Sequence, residues 1–160
     1  MIADATSLAT LGGAIALAGG VAGSSLGIAN AASAGVATLS QDSKQLRNVI
    51  ILSSIPMSQT FYGLIILILI LTTVIPQLAA MPNGGGSLGF AVLGCGAIAA
   101  FAEVFSGAFK GSVLASGIAY LPKTEGRILT NSLMLAVFVE LIGVLGLVFT
   151  IMALSMLGLM

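Results

Sequence analysis

Histidine is absent, cysteine occurs once, and only five basic and five acidic residues are spread over 160 positions. Each scarcity excludes something. Without histidine and with Cys95 as the one thiol, neither an internal disulfide nor a Cys/His metal cluster can form. Cys95 lies in a Gly/Ala-rich apolar stretch and reads as a small packing residue. A formal net charge of zero leaves no electrostatic footprint for nucleic acid. There is no Gly-x-x-x-x-Gly-Lys phosphate loop, so no nucleotide site is expected and any catalysis must lie in partner subunits. A soluble domain carries about 25% charged residues because its surface meets water. Here the share is 6%, with 58% hydrophobic residues and a mean hydropathy of +1.19. Most of this surface must face lipid or apolar protein. No Lys or Arg precedes Lys44, so the first apolar segment lacks the basic flank of a cleavable signal and is read as a retained helix.

What is present is four apolar runs. A bilayer span takes about 20 mostly apolar residues. Leu8–Leu39, Val49–Ile75, Leu88–Leu121 and Ile128–Leu157 all qualify. Between them lie polar Ser40–Gln45, the turn-forming run Pro82-Asn83-Gly84-Gly85-Gly86-Ser87, and charged Pro122–Arg127. The expected fold is therefore all-α and membrane-embedded, with four transmembrane helices as two tandem hairpins, residues 1–80 and 81–160. Lys44, Arg47, Lys123 and Arg127 sit in or beside the first and third connections. The positive-inside tendency then puts loops 40–48 and 122–127 in the cytoplasm and both termini outside. Both halves enter from the same side, unlike inverted-repeat transporters.

Glycine marks the odd-numbered spans. Gly19, Gly23, Gly27, Ala31 and Gly35 recur every fourth position, and Gly107, Gly111, Ala115 and Ala119 echo them in the third span. Small residues at this spacing let helix backbones approach closely. Two such stripes predict that the odd helices crowd a tight centre while the bulky even helices form an outer layer. A ring of identical subunits satisfies that geometry, and a monomeric four-helix bundle is the alternative.

Glu103, Lys110 and Glu140 lie inside spans. Each costs at least about 2.5 kcal/mol at a helix centre and needs a partner or a function. Gln59 stands 12 residues past Arg47, Glu140 13 past Arg127, and Lys110 13 before Lys123. At 1.5 Å per residue, all three share one depth, about 18–20 Å in. Near Gln59 runs Ile55-Pro56-Met57-Ser58-Gln59-Thr60-Phe61-Tyr62. Pro56 cannot donate to Leu52, so the backbone is distorted there. Ser58, Gln59 and Tyr62 add oxygens. Oxygen donors with one carboxylate suit a hard cation, and a lone buried carboxylate is either protonated or ionised against a cation. Glu140 is the expected working residue. Against it stands the bland reading of a protonated Glu hydrogen-bonded to a neighbouring helix.

The run Ile55–Gly63 resembles the Leu-Pro-Gly-Thr-Gln-Gly-x-Tyr-Gly motif of bacterial V/A-type rotary ATPase K subunits, the proteolipids of the V0 rotor ring (c-ring). Val139-Glu140-Leu141-Ile142-Gly143 is similar to that family's carboxylate helix, and Phe105-Ser106-Gly107 matches as well. The resemblance spans about Leu11 to Leu154. It implies a homo-oligomeric ring in the plasma membrane, turned by ATP hydrolysis in partner subunits. Each copy would carry Na+ or H+ on its carboxylate past a stator subunit of the a/I type, with central-stalk subunits as further partners and no cofactor beyond the carried ion. By the resemblance, Glu140 is the ion-binding carboxylate. Gln59, Ser58 and the Ile55 main-chain carbonyl match sodium ligands, and Tyr62 matches the tyrosine that locks the carboxylate. Lys110 departs from the pattern, standing where sodium-carrying members have a ligand Gln, and Glu103 stands where a small or apolar residue is usual. Lys110 could pair with Glu140 and displace sodium, or reach back to Glu103 as a compensating pair. The ligand set tips the balance slightly to sodium, with the proton as the alternative. A small oligomeric channel or secondary transporter is the other functional class, although polar groups confined to one level suit binding better than conduction.

Overall fold

A computed structural model describes residues 4–160, with the side chains of residues 83 and 84 outside the description. Met1–Ala3, at the start of the first expected hairpin, lie outside the described residues. The chain forms four helices long and apolar enough to cross a membrane. The first is α1, Ala5–Gln41. The second span is built from α2 (Leu46–Ser54), α3 (Ser58–Leu69) and α4 (Ile75–Ala80), joined without a break in direction. The third and fourth are α5 (Leu88–Ala119) and α6 (Leu129–Met156). Two tandem hairpins result, as the apolar runs predict.

The boundaries shift by a few residues from the hydropathy reading, and two of the shifts have a local cause. The polar stretch at Ser40–Gln45 is not all loop: α1 runs on to Gln41, and a single 3₁₀ turn, Ser43–Gln45, makes the connection. Asp42 holds that turn, accepting from the Lys44 N–H at 3.0 Å and from Gln45 Nε2 at 3.1 Å. Those two bonds, the Gln45 bond foremost, hold the Asp42 carboxyl below its ordinary value of 3.8. The second span also continues past Ile75 to Ala80. A π turn at Ile70–Val74 makes this possible, because the Ile75 N–H reaches back five residues to the Ile70 carbonyl and the helix widens ahead of Pro76.

The α1–α5 pair is the centre of the molecule, and the glycines explain why. Gly12 faces Gly96, Gly23 faces Gly107 and Gly27 faces Gly111, each pair 84 residues apart (12 to 96, 23 to 107, 27 to 111). At each, an added Cβ would overlap backbone atoms of the opposing helix, which have no flexible end to yield. Backbones this close gain dispersion contacts that lipid cannot supply.

The second span packs on α1 through Gly20 and Gly63, and α6 packs on α5 through Gly117 and Gly146. Large apolar side chains such as Phe61, Ile68, Phe138 and Phe149 point outward, while Gln59, Glu103, Ser106 and Lys110 are fully buried. The outer surface is apolar, as a lipid-facing surface requires, and the buried charges are gathered inside beside two buried apolar clusters.

Candidate functional site

Three elements converge at mid-height: the start of α3, the middle of α5 and the middle of α6. The sequence places α3 there through Pro56. Lacking an N–H, Pro56 sits in a 3₁₀ turn, Ile55–Met57, that restarts the helix at Ser58. A restarted helix leaves N–H groups open. The Ser24 hydroxyl of α1 accepts one of them, from Thr60, at 3.0 Å, and lies 2.8 Å from the Thr60 hydroxyl. Gln59 and Tyr62, three residues apart, then project toward α5 and α6.

On α5, Glu103, Ser106 and Lys110 share one face at spacings of three and four residues. Lys110 is fully buried, and its ammonium donates all three N–H groups. One goes to Ser58 Oγ at 2.7 Å, one to Gln59 Oε1 at 2.7 Å, and the third to Glu140 Oε2 in an ion pair. Glu140 Oε1 accepts from the Tyr62 hydroxyl at 2.8 Å. Both carboxylate oxygens of Glu140 are thus engaged, and its side chain remains 18% exposed at the edge of the cluster.

Behind the ion pair, the Gln59 amide donates from Nε2 to Ser106 Oγ at 2.8 Å, and Ser106 donates to the Val139 carbonyl of α6 at 2.9 Å. This chain ties α3 to α5 and α5 to α6 one residue before Glu140. A buried polar network of this kind is stable only when its members are satisfied.

Most sequence-derived candidates meet here. Gln59, Ser58, Tyr62, Lys110 and Glu140 form one cluster. The Ile55 carbonyl is turned instead to Ser58, accepting from its backbone N–H, with the Ser58 hydroxyl 3.2 Å away. The Glu103–Lys110 pair does not form, and Lys110 binds Glu140. Seven residues of helix put Glu103 about 10 Å along the axis from Lys110, whereas three oxygens from α3 and α6 lie within reach of the ammonium. Among the described residues, both Glu103 carboxyl oxygens are buried with no hydrogen-bond partner. Ser106 was not a candidate from sequence, although its place between Glu103 and Lys110 on one helix face was a legible signal. The described residues hold no cluster of three or more His, Cys, Asp or Glu fit for a metal ion.

Residues 11–70 match the family of the ATP synthase C subunit. The matched segment is most of the first hairpin, under half of the chain, and the likeness over that hairpin is to a c-type proteolipid. It ends before the carboxylate. No curated protein matches the chain.

Proposed function

We propose that this chain is the rotor-ring subunit of a V/A-type rotary ATPase and that the ion it carries is the proton. The observation that carries the ion assignment is the Lys110 ammonium. It donates to Glu140, Ser58 and Gln59, the side-chain oxygens that the resemblance marks as sodium ligands. A tethered cation saturating those oxygens leaves sodium neither charge nor ligands. Protons need only a carboxylate.

The rotor reading draws on three features together: a c-type first hairpin, a glycine-packed inner pair, and a carboxylate at mid-height with exposed atoms at the outer edge. A carboxylate so placed meets a stator subunit as the ring turns, while the inner pair of each copy packs toward the ring's centre. Polar side chains gathered at one level favour carrying over conduction, since a channel needs a polar path along a helix. The positive charge of loops 40–48 and 122–127 favours a cytoplasmic face, with the central stalk, at that end of the helices and the termini outside, in the plasma membrane.

Carbodiimide labelling of Glu140 in purified rings, across pH and with or without millimolar Na+, tests both parts. Labelling that follows pH and ignores sodium is expected. Protection by sodium would remove the proton assignment. Complete resistance of both Glu140 and Glu103 at every pH would remove the carrier itself.

A further inference from the structure

Glu103 is fully buried in the middle of a membrane helix, and neither of its carboxyl oxygens has a partner among the described residues. It does not sit in an apolar gap. Around the point where a Cβ of Gly143 would stand lie Gln59 Nε2 at 2.8 Å, Glu103 Oε2 at 3.0 Å and Ser106 Oγ at 3.1 Å. A Cβ on Gly146 would stand 3.8 Å from Glu103 Oε1. Two glycines of α6 thus make room for the Glu103 carboxyl beside the Gln59–Ser106 bond. The Gln59 oxygen is committed to Lys110, so its amide presents N–H to this space. That is a setting for a carboxyl group and not for a metal ion.

Charge counting gives this carboxyl a role. A carrier must gain one proton and lose it again without stranding charge in the membrane interior. Lys110 and Glu140 together are neutral and saturated. Protonating Glu140 in that pair alone leaves a bare ammonium, so the pair has no capacity for a proton. A second acid restores it. The titratable groups around Glu103 are Lys110 on its own helix, Glu140 on α6 and Tyr62 on α3, and α1 contributes none along its length.

We propose that Glu103 is the second acid of the ion site and that Glu103, Lys110 and Glu140 together hold one exchangeable proton. This rests on the proton-carrying reading above. In the loaded state Glu103 is the neutral acid, Lys110 is charged and Glu140 is its carboxylate, with no net charge. In the empty state all three are charged and the site carries one negative charge. The proton enters and leaves at Glu140, the only one of the three with exposed atoms. When an O–H bond forms on one carboxylate and breaks on the other, the ammonium balances whichever oxygen pair is left ionised.

The test is ATP-driven, carbodiimide-sensitive proton uptake by the whole ATPase in vesicles, comparing Glu103→Gln, Lys110→Gln and the double variant. Glu103→Gln should lower uptake more than about fiftyfold, because a protonated Glu140 then leaves a bare ammonium, whereas Lys110→Gln, in which Glu103 can stay protonated, should lower it less. The double variant should recover to within about threefold of the parent. It leaves Glu140 among neutral amides, again neutral when loaded and singly negative when empty. Parental uptake by Glu103→Gln in an assembled ring makes Glu103 a permanently neutral spectator and overturns the proposal. So does a double variant that assembles and stays as inactive as Glu103→Gln. Infrared spectra of unsubstituted rings at neutral pH add an arm that needs no variant: a protonated-carboxyl stretch is expected, and its absence overturns the proposal too. A parent complex with no coupled uptake sinks the rotor reading and this inference together, whereas failure in the Glu103→Gln arm removes this inference only.

Discussion

The Lys110 ammonium donates to the Gln59 amide oxygen at 2.7 Å, and this bond decides which way the amide faces. A flipped amide would set N–H groups against a cation. The oxygen is therefore held toward Lys110 and the nitrogen toward Ser106, at 2.8 Å. One charge on α5 orients a side chain of α3, and through Ser106 that side chain is tied to the backbone of α6 beside Glu140.

Removing that charge should change the ion. In Lys110→Gln rings the oxygens of Ser58, Gln59 and Glu140 lose their tethered cation and become free to bind a mobile one. Millimolar Na+ should then slow carbodiimide labelling of Glu140 by about tenfold, where the parent ring is indifferent. Indifference in the variant as well would mean that these oxygens do not make a cation site even when vacated.

Tyr62 holds the other side of the carboxylate. Its hydroxyl donates to Glu140 Oε1 at 2.8 Å, and a hydrogen bond to a charged group is worth about 1.5–3 kcal/mol. Tyr62→Phe removes the donor while keeping the ring's bulk. Glu140 then depends on Lys110 alone to stay ionised, so labelling at a given pH should rise about tenfold. Unchanged labelling would show that the bond does not restrain the carboxylate.

The architecture was legible because a bilayer imposes it: four apolar runs of sufficient length could only be spans, and the four-residue glycine rhythm could only mean close helix contact. The level of the site was legible for the same reason, since a fixed rise per residue converts Gln59, Lys110 and Glu140 into one depth. The partner of Lys110 was not. Glu103 shares its helix face while Glu140 lies on another helix, and the choice between them depends on how α5 and α6 are rotated about their axes, which spacing does not encode. Nor did Pro76 announce that the second span would continue past it, because a π turn that absorbs a proline depends on the neighbouring packing and not on a local sequence signal.

The close packing of α1 on α5 can be tested at matched positions. At Gly107 an added methyl group would meet the Gly23 backbone, whereas at Gly94 nothing lies within 4 Å. Gly107→Ala should destabilise the protein by about 1–3 kcal/mol through forced separation of the helices. Gly94→Ala should be neutral or stabilising by up to about 1 kcal/mol, since alanine is the better helix former. Thermal unfolding in detergent reads both. Equal effects at the two sites would mean that helix propensity, and not backbone contact, governs the glycines.

Asp42 makes the first connection dependent on pH in a direction that follows from its bonds. Its carboxylate accepts from the Lys44 N–H and from Gln45 Nε2, and these bonds hold its folded-state value below the ordinary 3.8. A group depressed on folding binds more protons when unfolded, so its contribution is present in full above the ordinary value and fades as pH falls through the lower folded one. The stability difference between the parent and Asp42→Asn should therefore be constant from neutral pH down to about 5 and shrink steadily below about 4. Because Asp42 lies on the exposed turn, the difference should also weaken as salt is added. A difference that instead grows on acidification would mean that the carboxylate opposes the turn, contrary to the two bonds it accepts.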